Sequence, residues 1–212
     1  MPLPFLEAMS QLTLVGRSSS HFTRTTRLFA LELGIRHDFR PVLDMTLLEP
    51  GNYAQNPALK VPILIDQHGP LYGTENICRE LTRRSGRAEV VMRGDVSVRL
   101  VANAEELILS AMSAEVSLIT AKVAGAAAPP KVLRSIENSL TFLNENVDSV
   151  LSLLPVARAL SFLEVTLFCL VKHLPFRQVM PVDAWPRLVA FSESFGGRAS
   201  ARATEYRFDA AP

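Results

Sequence analysis

NPALKVPILID (residues 56–66), followed two residues later by GPLYGTENICREL (69–81), is the stretch on which the fold turns. Ile63, Leu64 and Ile65 make a short apolar run rich in β-branched side chains, the pattern of a buried strand. Pro62 stands at its first residue, where a missing N–H donor costs the ladder least. HGP is a turn, LY begins a further short strand, and TENICRELTRRSG reads as a helix opened by Thr74 and closed by Gly86.

Working outward toward the N-terminus, QLTLVG (11–16) predicts a strand. Phe22, Leu28, Phe29, Leu31 and Ile35 recur closer to helical spacing than to alternation, and Gly34 is placed to end that helix. RHDFRPVL (36–43) predicts a second strand, with Pro41 marking an edge or a strand end, and residues 45–59 predict a loop with a weak helix. Strands and helices thus alternate into an α/β layer with a small mixed sheet.

Toward the C-terminus the pattern changes. After residue 87 strand signals stop. Residues 95–123 hold no proline and carry one long apolar pattern through Val98, Val101, Ile108, Ala111, Met112 and Ile119. AGAAAPP (124–130) breaks it. Residues 131–150 predict an amphipathic helix, and LSFLEVTLFCLVKHL (160–174) predicts one that is apolar nearly all round, the mark of a bundle's centre. A shorter helix near 183–195 and a basic terminal turn follow. Ser161 and Glu164 form S-x-x-E ahead of the central helix, a capping box in which the serine is worth about 1 kcal/mol.

The chain has 212 residues, 48% hydrophobic and 20% charged, with a formal net charge of +1, the balance of a soluble globular protein without a basic nucleic-acid footprint. Cys78 and Cys169 form neither a C-x-x-C pair nor a zinc spacing, and read as buried thiols in a reducing compartment. MPLPFLEAMS lacks the basic region and long apolar core of a signal peptide, and the longest apolar run, Leu167–Val171, is too short to span a bilayer. A cytoplasmic protein without membrane contact is expected.

The ordered set of segments resembles the glutathione transferase superfamily. NPALKVPILID with GPLYGTENICREL is similar to that family's NPxGKVPxL pattern and the segment after it. SFLEVTLF, WPRLVAFSESF and RASARAT are similar to its SxADxxLF, YPxLxxWxxxF and RPSVxAT segments. The resemblance spans roughly residues 11–205 and implies a thioredoxin-like α/β N-terminal domain (11–86) and an all-α C-terminal helical bundle (94–207), with residues 1–10 as an N-terminal extension. It further implies glutathione as co-substrate, a homodimer and a cis Val61–Pro62 bond. The Val61 backbone is then expected to clasp the cysteinyl part of glutathione, with Lys60 near its glycyl carboxylate.

The resemblance places Ser20 at the position where the serine- and cysteine-type classes keep the residue facing the glutathione sulfur. A hydroxyl donor at a helix N-terminus favours the thiolate of a thiol whose free pKa is about 8.5. Arg17 and His21 are expected to add positive potential, while the serines 18–20 equally suit a plain helix cap. Thr74 takes the place of the family's serine toward the γ-glutamyl carboxylate. Gly73 stands where the family has an acid, and Glu75 comes one residue late. His37, His68 and His173 are scattered and make no metal constellation. Trp185 and Phe191 are expected in the core, and Glu105 and Glu106 in solvent or at a dimer surface. The acceptor is expected between Phe22 and Leu107–Met112. Two functions follow: conjugation of glutathione to a hydrophobic electrophile, or a non-catalytic binding module with a degenerate glutathione site, as Gly73 suggests.

Overall fold

In a computed structural model, which describes residues 12–210, six strands and seven α-helices are present among the described residues. The expected extension 1–10 and Gln11 lie outside them. In chain order, β1 is Thr13–Gly16, α1 His21–Glu32, β2 Asp38–Pro41, β3 Ile63–Asp66, β4 Gly69–Tyr72 and α2 Thr74–Ser85. β5 (Val90–Val91) leads to α3 (Arg99–Val123) and α4 (Pro130–Leu153). β6 (Leu160–Ser161), α5 (Phe162–Phe176), α6 (Pro186–Gly196) and α7 (Ala199–Ala203) complete the chain. The weak helix expected in 45–59 is one 3-10 turn, Pro50–Tyr53.

The sheet has the order β2-β1-β3-β4, with β1 parallel to β2 and antiparallel to β3, and β3 antiparallel to β4. This is the mixed sheet of a thioredoxin-like domain, followed by a helical domain. Period-two alternation divides the core. Leu14 and Leu64 pack with Leu28, Phe29, Ile77 and Leu81 of α1 and α2, while Val15 and Ile63 face Val42, Tyr53 and Ala54 on the other side. α5 is buried at eleven of its fifteen positions, as its all-round apolar pattern requires.

The first apolar cluster runs without a break from the sheet's helices into α3, α4 and α5. Phe29 meets Phe162 with ring centroids 6.1 Å apart, and Glu32 binds Arg198 at 2.9 Å, so α1 is fixed between the two halves. α5 opens as expected: Ser161 Oγ accepts from the Glu164 N–H at 3.1 Å. Glu164 does not reach back to the backbone of Ser161, however. Its carboxylate accepts from the Ser161 hydroxyl at 2.6 Å and from Arg158 at 2.9 Å.

Three expectations are corrected. Strand pairing does not stop at residue 87: β5 and β6 pair in parallel, Val90 with Leu160 and Val91 with Ser161, and two residues carry no readable period. Glu105 is neither solvated nor on a surface. It is 6% exposed and accepts from the Gly94 N–H at 3.3 Å, and burial raises its carboxyl above the ordinary range. Met112 is fully buried and lines no cleft. Trp185 and Phe191 pack at the core margin.

Candidate functional site

Strand directions gather the expected residues at one end of the sheet. β1 ends at Gly16, and because β3 runs antiparallel its start lies beside that end, with Val15 opposite Ile63. β4 reverses again, so Tyr72 is also opposite Ile63. The Arg17–Ser20 loop, the Val61–Pro62 step and the Gly73–Thr74 junction therefore share one edge, where α1 and α2 both begin. The Val61–Pro62 bond is cis, and Val61 lies ahead of the β3 ladder.

Gly16 is dictated by packing. A Cβ there would sit 2.4 Å from the Thr23 methyl group, so only glycine lets β1 run this close to the first turn of α1. Each polar residue of the loop then has separate work. Ser20 is the N-cap of α1, its Oγ accepting from the Thr23 N–H at 3.3 Å. Acceptance uses an oxygen lone pair and leaves the Ser20 O–H free to donate elsewhere, so capping and thiolate binding are compatible. The buried Ser18 donates its N–H to Asp209 Oδ2 at 2.7 Å. The buried Ser19 offers its carbonyl to His173.

His21 turns away from this edge into the interior. Its Nδ1 lies 3.1 Å from Glu115 Oε2 and 2.9 Å from His173 Nδ1, and His173 Nδ1 lies 2.8 Å from Glu115 Oε1. Burial pushes the His21 imidazole down to about 4 against the opposing pull of Glu115. His21 is thus neutral at pH 7, and the positive potential expected of it is absent. Burial favours a neutral Glu115, but its bonds to His173 and His21 outweigh that and hold its carboxyl below the ordinary range. No spacing in the sequence announces this triad, whose members come from α1, α3 and α5.

At the other junction, α2 has no side-chain cap. Gly73 is exposed, adopts φ 91° and precedes Thr74, leaving the first N–H groups of the helix without a side-chain acceptor. Such an end suits a carboxylate. Glu75 is engaged elsewhere, 2.9 Å from Arg79 and 3.9 Å from Arg93. Lys60 is exposed, and its carbonyl accepts from Asn56 Nδ2 at 2.8 Å. Phe22 and Leu107 are half-buried. The tail also reaches this region, which the sequence reading missed. Phe208 stacks on Phe176 at 5.1 Å, and Tyr206 donates to the Cys169 carbonyl at 2.8 Å.

Both cysteines are buried free thiols, raised by burial above their ordinary range. No helix among the described residues is long and apolar enough to cross a membrane.

Residues 14–89 match the family described as glutathione S-transferase, N-terminal domain. No curated protein matches the chain. Among solved structures, a glutathione S-transferase from Methylobacillus flagellatus KT with glutathione bound is similar over 93% of this chain and 100% of its own, at 20% identity and TM-score 0.76. A glutathione transferase family member from Pseudomonas fluorescens Pf-5 with bound glutathione is similar over the same shares, at 21% identity and TM-score 0.75. A third, from Methylobacterium radiotolerans JCM 2831 in complex with glutathione sulfonate, covers 95% of this chain and 98% of its own, at 18% identity and TM-score 0.74.

Proposed function

We propose that this chain, a member of the glutathione S-transferase superfamily by its N-terminal domain and its fold, is a glutathione transferase-like enzyme that joins the thiolate of glutathione to a hydrophobic electrophile. The observation that carries this reading is the meeting, at one sheet edge, of the uncapped N-terminus of α2, the off-ladder backbone of Val61 and the cap hydroxyl of Ser20.

Each group suits one part of the tripeptide. The Thr74 hydroxyl and the N–H groups beside it receive the γ-glutamyl carboxylate. The N–H and C=O of Val61 pair with the extended cysteinyl backbone. Lys60 takes the glycyl carboxylate. Ser20 donates its hydroxyl to the thiolate, and the N-terminus of α1 adds its partial positive charge. The thiol proton leaves to solvent, the C–S bond forms, and the leaving group departs with its electron pair or the acceptor carbanion is protonated.

One observation favours a second reading. Gly73 carries no acid for the α-ammonium, and Glu75 is committed to two arginines. A binding module without turnover has the same fold and this weakened site.

Melting with and without millimolar glutathione tests the first reading, with retention on immobilised glutathione and conjugation of an aromatic halide beside it. At about 100 times Kd the expected stabilisation is about 2.7 kcal/mol. No shift and no retention overturn specific glutathione binding; a shift without turnover selects the second reading. We also infer a homodimer in the cytoplasm. Four apolar side chains of one loop, Leu43, Met45, Leu47 and Leu48, are exposed, which supports a covered face.

A further inference from the structure

We propose that His21, Glu115 and His173 form a site for one divalent transition-metal ion, with Zn²⁺ as the working example. The proposal does not depend on glutathione binding. It rests on three side chains from three helices, 94 and 58 residues apart in sequence, whose ligand atoms lie within 4.8 Å of one another.

The donor set is specific. Two imidazole nitrogens and one carboxylate suit Zn²⁺, Co²⁺ or Fe²⁺ and not the all-oxygen preference of Mg²⁺ or Ca²⁺. The tautomer of His173 follows from chemistry. Its Nε2 lies 2.8 Å from the Ser19 carbonyl oxygen, which only accepts, so Nε2 carries a hydrogen. In the neutral ring Nδ1 is then a bare lone pair aimed at the triad. An imidazole pinned by a backbone carbonyl through its far nitrogen is how metal-bound histidines are oriented.

The spacing fits after a small expansion. A tetrahedral ion with bonds of about 2.0–2.1 Å sets its ligand atoms about 3.3 Å apart. The two ring nitrogens lie 2.9 Å apart, and they lie 2.8 and 3.1 Å from the two different oxygens of the Glu115 carboxylate, so each side chain retreats by a few tenths of an ångström.

Crowding argues the same way: the two ring nitrogens that face the buried Glu115 carboxylate stand 2.9 Å apart. A divalent ion satisfies all three ligand atoms at once. The alternative is a triad bonded by protons alone, in which the two rings share hydrogens with the carboxylate oxygens. No side chain of the three is more than 2% exposed, so the ion is out of reach of a substrate, and the triad fills three of its four positions. It ties α1, α3 and α5 together beneath the Arg17–Ser20 loop.

The test is to express the untagged full-length chain in medium supplemented with ZnCl₂ or CoCl₂, so that the ion is present as the site forms. The protein is dialysed against metal-free buffer, and metal is counted by mass spectrometry. About one ion per chain is expected, with visible d–d bands in the Co²⁺ form and imidazole scattering in the X-ray absorption spectrum of the Zn²⁺ form. Folded Glu115→Gln protein is expected to lose retention by about tenfold or more. The absorption spectrum of the unaltered chain decides the matter if that variant does not fold. Folded unaltered protein without retained metal overturns the proposal, because the triad is then bonded by protons alone. Sulfur scattering, or full retention in folded Glu115→Gln, also overturns it.

Discussion

His173 Nε2 lies 2.8 Å from the carbonyl oxygen of Ser19, and both groups are buried. The central helix thereby grips the backbone immediately ahead of Ser20. On its other nitrogen the same ring meets Glu115 at 2.8 Å. His173→Leu removes the bond to Ser19 and the contact with Glu115, and leaves a buried carbonyl unsatisfied and a buried carboxylate with one partner fewer. A loss of about 2–3 kcal/mol is expected. His173→Gln reaches a similar distance with an N–H and keeps the Ser19 bond, so it should cost less. Urea midpoints of the two variants and of the parent check the order; equal stabilities of all three would contradict it.

Ser20 has a structural and a chemical task, and two substitutions separate them. Ser20→Ala removes the acceptor of the Thr23 N–H, at a cost of about 1 kcal/mol. It also removes the donor proposed for the thiolate, so conjugation should fall by about tenfold to a hundredfold. Ser20→Thr keeps a capping hydroxyl and should retain stability to within a few tenths of a kcal/mol. Turnover measured alongside thermal melting shows whether the two losses part company.

What could be read from the sequence was what is local. The run Ile63–Ile65 and the segment QLTLVG announce strands, and both faces of their sheet are filled. A cap is a contact between residues three apart, so Ser20 and Ser161 were visible too. The triad was not, because periodicity says which face is buried but not which partner meets it across 94 residues. The bond from Ser18 to Asp209 spans 191 residues and was equally silent. Glu105 was misplaced for the same reason: its acceptor role toward Gly94 depends on how the turn after β5 folds back on α3.

The start of α5 should make stability fall in acid. Burial alone would raise the Glu164 carboxyl, but hydrogen bonds from Arg158 and Ser161 outweigh it, and the folded pKa lies below the ordinary 4.5. A depressed folded pKa means that the unfolded chain binds the proton more readily. The contribution is therefore present above about pH 4.5 and is lost as pH falls through the lower folded value. Glu164→Gln should be less stable than the parent at pH 7, and the gap should narrow below pH 4.5. Urea titrations from pH 7 to pH 3 measure it; a constant gap would contradict this origin.

Leu48 is 78% exposed, beside Leu43, Met45 and Leu47 on one loop. If a second copy covers that face, a charge in its middle is costly. Leu48→Asp should leave the fold intact, since the side chain touches little within its own chain, and should convert a dimer to a monomer. Sedimentation velocity reads the change directly. A parent that sediments as a monomer would remove the dimer altogether.

Gly73 is the last test, because it decides whether the missing acid can be restored. Space is not the obstacle: a Cβ there meets nothing closer than Asn76 Nδ2 at 3.5 Å. The backbone is. At φ 91° a non-glycine residue is strained, at a cost of about 1–3 kcal/mol. Gly73→Asp should therefore lower the melting temperature of the free protein. The new carboxylate sits at the N-terminus of α2, where the dipole favours it and returns up to about 1 kcal/mol. Gly73→Ala carries the strain without the charge and should melt lower still. If the site binds glutathione through its α-ammonium, Gly73→Asp should gain more from millimolar glutathione than the parent does, while Gly73→Ala gains no more than the parent. Melting curves of the three proteins at rising glutathione separate backbone strain from binding. An equal response in all three would mean that no ammonium lies near residue 73.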